Sequence, residues 1–119
     1  MISTKIHGYL DYMMGVLLIA SPWIFNFPGG AATTLPIVLG AGTIIYSLLT
    51  KYELGAFGII PMKVHLGIDM VAGIFLATAP WIFGFANEVY LPFVILGIIE
   101  VGAVLLTEKR EPTVRRTTT

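Results

Sequence analysis

Lys5 to Phe27 reads KIHGYLDYMMGVLLIASPWIFNF, and Lys63 to Phe85 reads KVHLGIDMVAGIFLATAPWIFGF. The stretches lie 58 positions apart and share ten of 23 aligned residues: Lys5, His7, Asp11, Gly15, Leu18, Pro22, Trp23, Ile24, Phe25 and Phe27 in the first copy. Each copy is followed by a second apolar run, Leu35 to Thr50 and Leu91 to Thr107. These also match, Leu48-Leu49-Thr50 falling on Leu105-Leu106-Thr107. A recurrence of this size marks a chain built by repeating one supersecondary unit. The unit is a pair of apolar runs of helical length, so the expected domain is 1–107, with repeat 1 at 5–50 and repeat 2 at 63–107.

Composition says what surrounds these helices. The chain is 56% hydrophobic and 12% charged, where soluble proteins average roughly 25% charged. So few polar residues do not cover a soluble domain of 119 residues, and lipid must do so instead. From Lys5 to Trp23 an α-helix rises about 27 Å, close to the ~30 Å hydrocarbon layer. Trp23 and Phe25 then fall at the far interface, where amphipathic rings prefer to sit. Pro22 and Pro80 come near the ends of their helices, where a lost backbone donor does least harm. The expected fold is an all-α membrane protein of four transmembrane helices, arranged as two tandem two-helix repeats. No cleavable signal is expected at the N-terminus, the sequence has no cysteine, and zero net charge gives no footprint for nucleic acid.

All seven basic residues (Lys5, Lys51, Lys63, Lys109, Arg110, Arg115 and Arg116) belong to the N-terminus, the middle connector or the C-terminal tail. The two other loops carry no Lys or Arg, only Glu88. By the positive-inside rule both termini are expected in the cytoplasm of a prokaryotic cell, the domain being multi-pass in its inner membrane. Both repeats then enter from the same side, related by a pseudo-two-fold axis along the membrane normal. The charged, Thr-rich tail at 108–119 is expected to be disordered.

Ser21-Pro22-Trp23 ends the first helix and Ala79-Pro80-Trp81 ends the third. In this signature and in its two-hairpin plan the chain resembles the SPW repeat family of small prokaryotic membrane proteins. The resemblance implies a four-helix integral membrane domain and no particular biochemical activity. Ala79 departs from the signature, so the serine hydroxyl is not required in both copies.

At about 100° per residue, His7, Asp11, Gly15, Leu18 and Pro22 fall within roughly 80° of arc. His65, Asp69, Gly73, Leu76 and Pro80 fall on the same face of the third helix. The simplest reason to keep one face twice is that the two faces meet, with Gly15 expected against Gly73. His7 with Asp11, and His65 with Asp69, are i, i+4 pairs on the cytoplasmic side of the membrane. Glu100 is a further buried-span carboxylate, and its repeat partner is Thr43. Ionisable groups in spans face a bundle interior or a wet cavity.

The favoured reading is that His7, Asp11, His65 and Asp69 join the first and third helices of a non-enzymatic scaffold or accessory protein. Its partners would be the lipid bilayer and either copies of itself or a larger membrane complex. The alternative is a proton-linked or cation transporter or channel using this quartet and Glu100. A metal or bis-histidine haem at the quartet ranks third, and no cofactor is expected. Enzyme chemistry has no foothold: there is no Gly-rich phosphate loop, no His-Glu-x-x-His and no cysteine.

Overall fold

The computed structural model describes residues 1–107, so the tail expected to be disordered lies outside the described residues. Four helices follow one another: α1 (Thr4–Ile24), α2 (Ala31–Leu49), α3 (Met62–Ile82) and α4 (Leu91–Leu106). They pack as two hairpins, α1 on α2 and α3 on α4, with a lighter contact between α2 and α3.

Local chemistry sets the helix ends. Ser3 caps α1, its side chain accepting from the Ile6 N–H at 3.1 Å. α2 starts four residues earlier than the apolar run suggests, because Gly30 takes a left-handed conformation (φ 81°) and its carbonyl accepts from the Thr33 and Thr34 amides. Pro36 therefore lies inside α2, whereas Pro92 begins α4. That makes α2 19 residues and α4 16. Among the described residues α2 and α3 are long and apolar enough to cross a membrane, and α4 is a shorter apolar helix. α1 has the length, but His7, Asp11 and the polar ends of Tyr9, Tyr12 and Ser21 dilute its hydropathy.

The Ser-Pro-Trp ending has a physical role in α1. Pro22 has no N–H to offer the Leu18 carbonyl four residues back. The Ser21 hydroxyl donates to that carbonyl instead, at 2.8 Å. Beyond the proline both copies close alike, with Phe25 N–H to Ser21 O and Phe27 N–H to Pro22 O, then Phe83 to Ala79 and Phe85 to Pro80. Trp23 and Trp81 point outward, 72% and 57% exposed.

Two apolar clusters fill the interior. One, at the Ser-Pro-Trp end, joins Leu18, Leu76, Ala79, Phe85, Phe93 and Leu96. The other, at the basic end, joins Tyr52, Met62, Leu66 and Val104. The close approaches between helix backbones correct the expected pairing of Gly15 with Gly73. A Cβ on Gly40 would stand 2.5 Å from the Gly15 carbonyl oxygen, and one on Gly97 2.6 Å from that of Gly73. The glycines thus serve contacts within each hairpin, where antiparallel neighbours joined by a short loop lie closest. Along the helices, side chains bridge the two hairpins, and backbone meets backbone only at their basic end.

The basic end is knitted by matched pairs. Ile2 bridges to Thr107 and Ile60 to Thr50, each start of a repeat meeting the end of the other. Both pairings carry a 2.8 Å backbone bond, Ile2 N–H to Leu106 O and Ile60 N–H to Leu49 O. The connector between α2 and α3 is partly buried. Phe57 and Ile59 are exposed, yet Tyr52 is buried and the Leu54 side chain covers Gly8 of α1.

Candidate functional site

The repeated ridge is buried along its full length in both copies, from His7 to Pro22 and from His65 to Pro80. At its basic end His7, Asp11, His65 and Asp69 meet, exposed by 1, 2, 0 and 0% respectively. The pairs expected within each helix form, His7 Nε2 lying 3.1 Å from Asp11 Oδ1 and His65 Nε2 3.0 Å from Asp69 Oδ2. The contacts between hairpins are shorter. His7 Nε2 is 2.8 Å from Asp69 Oδ2, and His65 Nε2 is 2.8 Å from Asp11 Oδ2. Ring centroids of the two histidines are 5.7 Å apart, edge to face.

Four further side chains complete the cluster. Thr107 Oγ1 is 2.8 Å from His7 Nδ1, and Thr50 Oγ1 is 2.6 Å from His65 Nδ1. Each threonine again comes from the hairpin opposite its histidine. Tyr52 donates its O–H to Asp11 Oδ2 at 2.9 Å, and Tyr46 donates to Asp69 Oδ1. Burial, with the Asp11 carboxylate beside it, pushes the Tyr52 phenol above its ordinary range, so it remains a donor.

These contacts fix the histidine tautomers. Thr50 Oγ1 also lies 2.6 Å from the Tyr46 carbonyl, and Thr107 Oγ1 makes the same contact with Ala103. A carbonyl only accepts, so each threonine proton goes to its own helix and the hydroxyl oxygen accepts from the histidine. Both Nδ1 atoms therefore carry hydrogen. Each Nε2 then faces only carboxylate oxygens, and one proton must sit in each of these contacts. Whether it rests on nitrogen or oxygen, the four residues together are neutral. A neutral, hydrogen-bonded group avoids the heavy penalty of an unpaired buried charge.

One contact is imperfect. His65 Nε2 has oxygens at 2.8 and 3.0 Å, yet neither lies along its N–H direction, and the atom makes no formed hydrogen bond. Tyr46 and Tyr52 flank that ring, with centroids at 4.8 and 5.3 Å.

Glu100 is buried on α4, its side chain lying against Gly73 of α3, one turn beyond Asp69. It borders a cavity of about 10 Å³ with Met14, Leu18, Leu39, Thr43, Ala72 and Leu76. Thr43, its repeat counterpart, lines the same cavity but turns its hydroxyl to the Leu39 carbonyl at 2.8 Å. Of the Ser-Pro-Trp signature residues, Ser21, Pro22, Ala79 and Pro80 belong to the apolar end, away from the quartet.

The sequence reading names the two histidines and three carboxylates but misses Tyr46, Tyr52, Thr50 and Thr107. The threonines carry a visible signal, since Leu-Leu-Thr ends both repeats. The tyrosines have none: Ala103 stands where a second Tyr46 would be.

Two hairpins of apolar helices, clasped by a buried polar cluster at their basic end, define a small membrane-associated repeat protein. Residues 5–107 match the SPW repeat domain, and the chain belongs to that family. No curated protein and no solved structure matches it.

Proposed function

We propose that the chain is a four-span protein of the prokaryotic inner membrane, with both termini cytoplasmic and its repeats related by a two-fold axis along the membrane normal. It acts as a non-enzymatic scaffold or accessory subunit, assembling with copies of itself or with a larger membrane complex. The carrying observation is that every charged side chain of the quartet is closed in by partners from this chain. Groups so enclosed join the hairpins and leave no face for a soluble substrate. The interior beside Glu100 holds about 10 Å³, room for about one water molecule. What remains for recognition is the outer surface, where Met13, Val16, Val38, Ile45, Val71 and Ile98 are exposed.

Native mass spectrometry from lipid nanodiscs tests this reading. An oligomer, or a stable complex with a second membrane protein, is expected. A strictly monomeric protein that co-purifies with nothing would overturn it.

Proton-linked transport has one observation in its favour: Glu100 is buried against Gly73 of α3, one turn along the same buried face from Asp69, which contacts both histidines. Against it, Leu18, Leu76, Phe93 and Leu96 pack solidly beyond Glu100. Proton flux into liposomes, lost in Glu100→Gln, would favour transport over the scaffold. No flux under an imposed pH gradient would remove it.

A further inference from the structure

We propose that His7, Asp11, His65 and Asp69 form a binding site for one divalent transition-metal cation of the zinc type, placed on the seam between the two hairpins. The inference goes beyond the scaffold reading and does not depend on it. Four potential ligand atoms, two imidazole nitrogens and two carboxylate oxygens, lie within 4.8 Å of one another. A tetrahedral ion with bonds of about 2.0–2.1 Å separates its ligands by roughly 3.3–3.4 Å. The nitrogen–oxygen contacts here are 2.8 to 3.1 Å, with Asp11 using one oxygen toward each histidine. The close contacts must therefore open by a few tenths of an ångström, while the widest separation in the set, up to 4.8 Å, must close toward the tetrahedral edge.

The surroundings are those of a metal site and not only of an ion pair. Metal-bound histidine characteristically donates its remote N–H to an oxygen acceptor, which fixes the tautomer and aims the other nitrogen. Thr50 and Thr107 do this for His65 and His7, each threonine being held by its own helix carbonyl. Tyr46 and Tyr52 similarly hold the carboxylates, Tyr46 on the oxygen of Asp69 that faces away from both histidines. A further sign is His65 Nε2, which is fully buried among the ligand set, with carboxylate oxygens at 2.8 and 3.0 Å but no well-directed hydrogen bond to either. A structural clasp gains nothing from leaving a buried nitrogen unsatisfied, whereas a cation at the centre would take its lone pair.

Charge balances as well. One divalent cation enters, the two protons shared between the Nε2 atoms and the carboxylates leave to solvent, and the unit stays neutral. The ligand set is two nitrogens and two oxygens with no sulfur, which suits zinc, cobalt or ferrous iron and disfavours cuprous copper.

The test uses the full-length protein in detergent, stripped with a chelator and then titrated with cobalt(II) chloride. Expected are one cobalt per chain by elemental analysis and the visible ligand-field bands of a four-coordinate ion, abolished by equimolar zinc sulfate. Thr50→Val, which removes the acceptor for the His65 Nδ1–H and touches no metal, should weaken cobalt binding by about 10- to 100-fold. His65→Gln should abolish the bands while circular dichroism still reports a helical protein. Should His65→Gln fail to fold, the native protein and Thr50→Val still decide. Folded native protein that takes up no cobalt or zinc overturns the proposal, as does uptake unchanged in Thr50→Val with octahedral, surface-type bands. Loss of the metal site with assembly intact would sink this inference alone, while a metal-loaded monomer would sink only the scaffold.

Discussion

Replacing Asp69 with asparagine preserves shape and removes the charge, so it isolates what the quartet contributes to joining the hairpins. Asp69 is fully buried, and its oxygens face His7 Nε2 at 2.8 Å, His65 Nε2 at 3.0 Å and the Tyr46 hydroxyl. Asparagine keeps one acceptor oxygen and turns the other into an N–H₂ donor. Turned toward Tyr46 the N–H₂ meets a hydroxyl that must give up its donor role, and turned toward the histidines it meets Nε2 atoms that must first lose a proton, so either way charge-assisted bonds are lost. Each hydrogen bond to a charged group contributes about 1.5–3 kcal/mol, and breaking a buried pair from one side costs about 3–5 kcal/mol. Asp69→Asn should therefore destabilise by about 3–5 kcal/mol, with Asp11→Asn close behind. Denaturant titration in detergent, followed by Trp23 and Trp81 fluorescence, measures this. Glu88→Gln, on the exposed turn before α4, is the control and should change stability by less than about 0.5 kcal/mol. A loss under about 1 kcal/mol for Asp69→Asn would refute the reasoning, because the quartet would then contribute little to joining the hairpins.

Tyr52→Phe deletes only the donor to Asp11 and should cost about 1.5–3 kcal/mol. Tyr12→Phe, which loses a bond to the Leu54 carbonyl at the connector, should cost about 0.5–1.5 kcal/mol by the same titration. Gly97→Ala places a methyl 2.6 Å from the Gly73 carbonyl oxygen and should force α3 from α4 at about 1–3 kcal/mol. Gly42→Ala, with nothing within 4 Å, should be neutral or slightly stabilising. A cysteine at Glu88 should react with an impermeant thiol reagent only from outside the cell. Labelling from the cytoplasm would reverse the orientation.

Much of this architecture can be read from the repeat itself. His7, Asp11, Leu18 and Pro22 recur at matching helical angles, and a face preserved twice is the face buried in both copies. The hairpins follow because the apolar runs alternate with short turns. The Gly15 and Gly73 pairing fails for an instructive reason. Helical periodicity says which residues share a face, but not whether that face meets its own hairpin or the other one. The 80° ridge is wide enough to do both, Gly15 turning toward α2 and His7 toward α3. Tyr46 and Tyr52 are illegible for a related reason. Neither recurs in repeat 2, and Tyr52 reaches Asp11 only because the connector folds back under α1. Glu100 is conspicuous from its burial in an apolar run, yet its place against Gly73 is set by packing between α3 and α4, which no single-helix pattern encodes. The start of α2 depends on a left-handed Gly30, which the apolar run beginning at Leu35 does not reveal.

The central claim is that the repeated ridges of α1 and α3 face each other across the seam. Since the chain has no cysteine, the pair Leu18→Cys with Leu76→Cys provides a unique reporter, both residues lying in one buried cluster. In native membranes a short bifunctional thiol reagent should link the two within a single chain, while the outward pair Val16→Cys with Ile74→Cys should stay unlinked. Linkage of the outward pair, or of Leu18→Cys with Leu76→Cys only between different chains, would contradict the account.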